Sequence, residues 1–354
     1  MSILAEKEIR AMLLSKYPMT GLGLVLCLSA SAAIAPIPPM ASREGVIILT
    51  YTQAGPPGEL LTPSGRELGK LASGAAKRQL TWPQAECPLI NPRLSPDAKR
   101  ILAVKIGFSG DPHELWIFDP DSKDGPNEPL LSDLHRASAV WSRDGSKLYG
   151  SSVMPGKESD PYPKDGSNPL ACWTFDVKTR KKTPLAIPIG HEIVDLSPDG
   201  QTLLTKCVIR HNDLEKSRRM ATFLVPLDTL KPKQLVQQPF GGMRFSPNGK
   251  QVLGIAPEVK NDRPHPWKPA ICTIADDSLK FIRVGEEVAS VFYACWSPDG
   301  KRIAMVWQEK AAPPKGAEPP RRAWRVTVCD PGGGNANVIA RREWIQNISG
   351  VDWK

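Results

Sequence analysis

Histidine is scarce in this sequence. The five present, at 113, 135, 191, 211 and 265, never fall at the H-x-x-x-H spacing that sets two imidazoles on one helix face around a metal. The seven cysteines include no C-x-x-C pair, which argues against a zinc or dithiol redox site. The G-x-S-x-G elbow of α/β-hydrolases is missing as well, since Gly107-Phe108-Ser109-Gly110 lacks its spacing. Gly332-Gly333-Gly334 sits in a strand connection without a Lys or a helix after it, so it does not read as a phosphate cradle. Asp119-Pro120-Asp121-Ser122-Lys123-Asp124-Gly125 begins like a calcium loop but puts Lys where a ligand belongs and Gly one place late. It reads as a turn. The sequence thus points to no catalytic motif, no metal and no cofactor.

Charge and hydropathy narrow the classes further. Net charge is +9, from 46 Lys+Arg against 37 Asp+Glu, which bears on solubility and weak association with anionic surfaces. No basic run is interleaved with aromatics as in a nucleic-acid reader, so nucleic acid is not an expected partner. No apolar run reaches the roughly 20 residues of a spanning helix. Lys7, Arg10 and Lys16 precede Gly21-Leu22-Gly23-Leu24-Val25-Leu26-Cys27-Leu28, which grades into small residues up to Ala35. Those are the three parts of a secretory signal, with Ala30-Ser31-Ala32 as an A-x-A cleavage site. Residues 1–35 therefore read as the leader of an exported protein of the periplasm or cell envelope. The alternative is an uncleaved anchor; either way this segment is the only expected membrane contact. Residues 36–44 read as a Pro-rich linker. An exported chain can form disulfides, yet Cys87, Cys172, Cys207, Cys272, Cys295 and Cys329 make no close or repeated pairs. They read as buried small hydrophobes.

What the chain does contain is a repeat. Trp296-Ser297-Pro298-Asp299-Gly300-Lys301 returns as Leu94-Ser95-Pro96-Asp97-Ala98-Lys99, Trp141-Ser142-Arg143-Asp144-Gly145-Ser146, Leu196-Ser197-Pro198-Asp199-Gly200-Gln201 and Phe245-Ser246-Pro247-Asn248-Gly249-Lys250. The serines are spaced by 47, 55, 49 and 51 residues. Pro presets φ at one central turn position and Gly accepts the left-handed conformation that follows. Apolar runs flank each turn, which is a hairpin signal. A third strand ending in Asp and a weaker fourth follow, as in Cys172-Trp173-Thr174-Phe175-Asp176. Four strands at this period describe a β-propeller blade.

The aromatic-Ser-Pro-Asp-Gly-Lys repeat resembles the TolB-type, WD40-like propeller repeat, which is also found in the propellers of prolyl-oligopeptidase-like peptidases. The resemblance covers roughly residues 45 to 354. It implies an all-β fold and says little about function. No α/β peptidase domain follows the repeats, and the first 44 residues are too few for the N-terminal domain of TolB itself.

The expected fold is a six-bladed β-propeller of four-stranded antiparallel blades over residues 45–354. Gly45–Tyr51, Gly58–Thr62 and Leu68–Leu71 read as second, third and fourth strands without a first one, while Ile348–Lys354 matches a first strand cut off before its turn. The C-terminal strand is therefore expected to complete the N-terminal blade, which removes exposed sheet edges. The other blades fall at about 85–134, 135–187, 188–238, 239–286 and 287–341. In ring order, Asp352 at the aligned position of the C-terminal strand is followed by the residues two places before each turn serine, Arg93, Val140, Asp195, Arg244 and Cys295. Neighbouring blades are thus expected to pair Asp352 with Arg93 and Asp195 with Arg244 near the axis.

Turns between second and third strands share the end opposite the Ser-Pro-Asp-Gly turns. Long insertions are expected there as loops: Pro155–Asn168, Arg210–Met220, Pro257–Pro269 and Gln308–Arg322. Arg218, Arg219, Arg263, His265, Trp267, Arg321 and Arg322 would form a basic, Trp-bearing recognition rim. The expected function is an exported, non-enzymatic binding platform for a protein, or for an anionic envelope polymer. One alternative is a propeller hydrolase with an axial site at His191 and Glu192, the one His/Glu pair expected to face the axis. Another is a non-catalytic propeller inside a peptidase-like or envelope complex.

Overall fold

The repeated turn folds as its residues dictate. In the first copy the Ser95 backbone N–H donates to the Arg100 carbonyl at 2.7 Å, and the Ala98 N–H donates to the Ser95 carbonyl at 2.8 Å. The Ser95 hydroxyl donates to Asp97 Oδ1 at 2.5 Å and accepts the Arg100 N–H at 2.8 Å. Lys99 N–H donates to the same carboxylate oxygen at 3.1 Å. The other four copies repeat the Ser–Asp or Ser–Asn link at 2.5 to 2.8 Å. This is why all five turn serines are buried although they are polar: their hydroxyls are satisfied on both sides. Gly145, Gly200, Gly249 and Gly300 take φ between 69° and 76°. The first copy manages with Ala98 at 56°.

The computed structural model describes residues 47–51, 58–61, 67–71, 89–106, 112–118, 129–154, 169–210, 218–236, 240–260, 263–283, 288–309, 323–343 and 348–353. The expected leader and linker, Cys87 and the Asp119–Gly125 segment lie outside them. The chain divides into two units, Met1–Arg43 and Glu44–Lys354.

Three strands open the second unit: β1 (Ile47–Tyr51), β2 (Gly58–Leu61) and β3 (Glu67–Leu71). Five antiparallel blades of four consecutive strands follow. The first holds β4 (Leu89–Leu94), β5 (Ile101–Lys105), β6 (His113–Phe118) and β7 (Leu131–Leu134); the second holds β8 (Ser138–Trp141), β9 (Lys147–Val153), β10 (Leu170–Asp176) and β11 (Lys182–Pro184). The third consists of β12 (His191–Leu196), β13 (Thr202–Arg210), β14 (Arg218–Pro226) and β15 (Lys233–Val236). In the fourth lie β16 (Gly241–Phe245), β17 (Gln251–Lys260), β18 (Arg263–Thr273) and β19 (Leu279–Phe281). The fifth runs through β20 (Val288–Trp296), β21 (Ile303–Glu309), β22 (Ala323–Cys329) and β23 (Asn337–Glu343). A further four-stranded sheet has the order β24-β1-β2-β3, in which the last strand, β24 (Ile348–Trp353), pairs antiparallel with β1, Ile47 opposite Trp353. The fold is an all-β propeller of four-stranded antiparallel blades.

First strands touch in succession: β4 with β8, β8 with β12, β12 with β16, β16 with β20, β20 with β24, and β24 with β4. The core lies between facing sheets. Leu102, Val104 and Leu115 of one blade pack with Trp141, Leu148, Trp173 and Phe175 of the next, each such side chain contributing about 1.5–3 kcal/mol when fully buried. Val351 and Trp353 of β24 join a cluster with Cys295, Val306 and Val326. The turns also interlock. A methyl built on Gly249 would stand 3.6 Å from Pro198 Cδ of the preceding turn, and one on Gly300 would stand 3.4 Å from Pro247 Cδ. Arg100 reaches over the ring of Trp141 at 4.8 Å, and Arg302 over Trp353 at 5.3 Å. The blade carrying β20 therefore grips β24 as the β4 blade grips β8.

Two outcomes follow. A methyl on Gly150 would lie 2.2 Å from Trp173 Cη2, and that ring is held by its Nε1–H, which donates to Ser152 Oγ at 3.1 Å. Gly150→Ala is expected to lower stability by about 1–3 kcal/mol in denaturant titrations; an unchanged midpoint would remove this packing constraint. The turn carboxylates Asp97, Asp144 and Asp199 are held below the usual range mainly by their serine hydroxyls, Asp144 at about 2. A folded-state pKa below the unfolded 3.8 means that their contribution is present above that value and is lost as pH falls through the folded-state pKa, which for Asp144 is about 2. Asn248 already does the same work uncharged, at 2.8 Å from Ser246 Oγ. Asp144→Asn should therefore keep the turn and flatten part of the acid slope in melting temperature against pH.

Candidate functional site

Bulges aim the inner residues. The β4–β5 register skips between Ile90 and Arg93, and the β16–β17 register between Gly241 and Arg244. Each skip holds a residue in the left-handed region, Asn91 at 51° and Gly242 at 58°. A bulge bends its strand and redirects the side chain that follows, here an arginine in both cases. In β12 the skip falls between Ile193 and Asp195.

The expected neighbour pairs do not form as written. Arg93 meets Asp195 (Nη1 to Oδ1, 3.7 Å) and Arg244 meets Asp352 (Nε to Oδ1, 3.9 Å). Each arginine thus reaches past one blade, across the small inner residues Val140 and Cys295. The reason is that the neighbouring position is taken by main chain. Asp352 Oδ2 accepts the Leu94 N–H and Asp195 Oδ2 accepts the Phe245 N–H, each at 2.7 Å. A backbone amide fixed beside the carboxylate wins over a long side chain that must be ordered to reach it. Asp352, Arg93, Val140 and Asp195, Arg244, Cys295 are thereby two turns of one pattern. Burial, and then repulsion from Arg244, hold the Arg93 guanidinium down at about 10.

His191 and Glu192 point to opposite faces of β12, as residues one apart on a strand must. His191 is buried with Nδ1 2.8 Å from Thr205 Oγ1 and its ring edge-on to Phe223 at 4.9 Å. Burial pushes this imidazole below its ordinary range, so it stays neutral at pH 7. Glu192 instead pairs with Lys206 at 3.0 Å. The two do not form an acid–base couple. No group of three His, Cys, Asp or Glu able to hold a metal exists among the described residues. Cys172, Cys272, Cys295 and Cys329 are buried free thiols, and burial pushes Cys172 up to about 12 and Cys272 and Cys329 to about 11.

On the opposite end, the expected loop Pro257–Pro269 is a β-ribbon. β17 and β18 stay paired out to Lys260 opposite Arg263, leaving two residues between them. Of the expected loop Arg210–Met220, Arg210 and residues 218–220 lie in paired strand, with Arg210 opposite Arg218 and Ile209 opposite Arg219, while 211–217 lie outside the described residues. Alternation and Pro content hid these extensions: Pro257, Pro264, Pro266 and Pro269 looked like loop, but Pro fits where a ribbon has a free edge. Arg218, Arg219, Arg263 and His265 thus lie on the two ribbons, and half-buried Trp267 lies over the start of β16, 3.7 Å from a methyl placed on Gly241. Arg321, Arg322 and the insertion 155–168 lie outside the described residues.

The sequence reading missed a cluster on the same end. Glu309 accepts from Arg325 Nε and from Arg341 at 3.0 and 3.1 Å, and Arg325 lies over Trp307 at 5.2 Å. Phe292, at a skip in the β20 register, is 36% exposed and meets Trp324 edge-on at 4.7 Å. Aligning the ends of second strands, rather than the turns alone, would have singled out Glu309.

Breaking one member of a buried pair leaves a charge uncompensated, at a cost of about 3–5 kcal/mol. Double-mutant cycles should give strong coupling for Arg93→Ala with Asp195→Ala, and weaker coupling for Arg93→Ala with Asp352→Ala. The reverse order would restore the neighbour pairing.

In fold the protein is similar to solved TolB structures. Against TolB from Acinetobacter baumannii the TM-score is 0.55 at 15% identity, over 87% of this chain and 66% of that one. Against the putative TolB from Agrobacterium tumefaciens it is 0.52 at 14% identity, over 88% and 98%. Oligogalacturonate lyase in complex with manganese is similar at a TM-score of 0.47 and 14% identity, over 84% and 74%. The chain spans about two thirds of the length of the Acinetobacter TolB. No family model and no curated protein matches the chain. At these identities the likeness concerns the fold.

Proposed function

We propose that this protein is an exported, non-enzymatic propeller that serves as a protein-binding platform of the cell envelope. Its recognition face is the end that carries the β13–β14 and β17–β18 ribbons. We read the β24-β1-β2-β3 sheet as its sixth blade, which closes the ring and fixes that face. The observation that carries the reading is the register of the two ribbons. It sets Arg210 opposite Arg218 and Lys260 opposite Arg263, like charges at directly opposed positions. Such pairs disfavour the isolated sheet, and carboxylates from a protein partner would relieve them. Half-buried Trp267 and exposed Phe292, the latter backed edge-on by buried Trp324, supply aromatic surface of the kind that anchors protein interfaces. Export rests on the signal-like residues 1–35. A non-enzymatic role is supported by the structural ties of His191 to Thr205 and of Glu192 to Lys206.

Capture of partners from envelope extracts tests this. Neutralising Arg218, Arg219, Arg321 and Arg322 together should lose at least one protein that the unaltered chain retains, with circular dichroism unchanged. Equal recovery of every protein would remove the basic face from the account. Turnover of peptide or glycoside substrates by the purified chain, abolished by His191→Ala, would overturn the non-enzymatic half.

A further inference from the structure

The fourth strands end their sheets, and one of them is unlike the rest. A strand at a sheet edge presents N–H and C=O groups outward on alternate residues, and proteins blunt such edges with short strands, charged residues and Pro. Here β3, β7, β11, β15 and β19 are three to five residues long. They carry Lys70, Asp133, Lys182 with Pro184, Lys233 and Lys280. By contrast β23 has seven residues and begins with four uncharged ones, Asn337-Val338-Ile339-Ala340. Among the described residues it pairs with β22 alone. Asn337 is exposed, and so is the apolar side chain of Val338, at 44%.

The charge at this edge is also unbalanced. Arg325 Nε and Arg341 Nε both donate to Glu309 Oε1, so one carboxylate oxygen holds two guanidiniums side by side. Arg341 Nη2 donates to Glu309 Oε2 at 3.1 Å. Two guanidiniums on one carboxylate leave one positive charge over, and adding Arg342 and Glu343 of the same strand leaves that excess unchanged. Arg325 and Glu309 are 28% and 16% exposed in their side chains, whereas Arg341, on β23 itself, is 50% exposed. A strand laid along β23 would set its side chains beside those of β23, where opposite charges attract and like charges repel. A second copy of β23 would bring the same arginines; an acidic strand would offset them.

We infer that the outer edge of β23 is a docking site for an extended acidic segment of another protein, which adds to the sheet as a fifth strand and sets a carboxylate beside Arg341. This edge belongs to the fifth blade and is separate from the two ribbons.

The test uses the full chain and a fluorescent heptapeptide of alternating Val and Thr with a central Glu, compared with the same peptide carrying a central Lys. The Glu peptide should bind roughly fivefold more tightly, and Arg341→Gln should narrow that gap to about twofold. Val338→Lys, at an exposed position, should weaken both peptides with circular dichroism unchanged. In the unaltered chain, saturation with the Glu peptide should slow hydrogen exchange in 337–343 and leave 218–226 and 263–273 as they were. No binding, equal affinity for the two peptides, or unaltered exchange in 337–343 would overturn the site. So would dimers that protect 337–343 without peptide, since a second copy would then be the occupant. Neutralising Arg218, Arg219, Arg321 and Arg322 together should leave peptide binding intact, so that this site and the recognition face fail separately; loss of binding there would overturn it as a separate site.

Discussion

The inner strands hold together because each axial aspartate is shared between two blades. One oxygen takes the main-chain N–H of the blade that follows, and the other faces an arginine that arrives past an intervening blade. A backbone amide cannot move away, so that bond fixes the angle between consecutive sheets, while the arginine spans three of them. The apolar clusters between facing sheets supply most of the stabilisation, but they are not directional. The aspartate-to-amide bonds across neighbouring sheets supply the direction that burial lacks.

A second belt runs at the turn end. There Gly rests against the Pro of the preceding turn, and Arg100 and Arg302 cover the tryptophan of the next inner strand. Trp353 receives the same cover as Trp141, although it stands on the last strand of the chain. With Asp352 one residue away on Leu94 N–H, β24 is tied at both levels. The end opposite this belt is left to the ribbons, and the proposed binding role uses that division between a locked end and an elaborated one.

Much of this was legible in the sequence, because the turn carries its own physics. Ser, Pro, Asp and Gly at fixed offsets specify the hairpin, the hairpins repeat, and the strands β1 to β3 and β24 appear where the apolar runs put them. The partner choice of Arg93 and Arg244 was not legible. It depends on main-chain N–H groups of Leu94 and Phe245 competing for the carboxylates, and no side-chain alignment reveals that competition. The ribbon of β17 and β18 was hidden for another reason: four prolines within thirteen residues mimic a loop, whereas an exposed ribbon edge has no ladder bond for them to break. His191 and Glu192 looked adjacent in sequence and are separated by the pleat of a single strand.

β24 is expected to be an inner strand held as firmly as β20 and β4, which it touches. Hydrogen exchange followed by mass spectrometry reads this directly on peptides covering 348–353, 288–296 and 89–94. The expected result is equal protection of all three, lost together only on global unfolding. Complete exchange of 348–353 within seconds, while the other two stay protected, would contradict it.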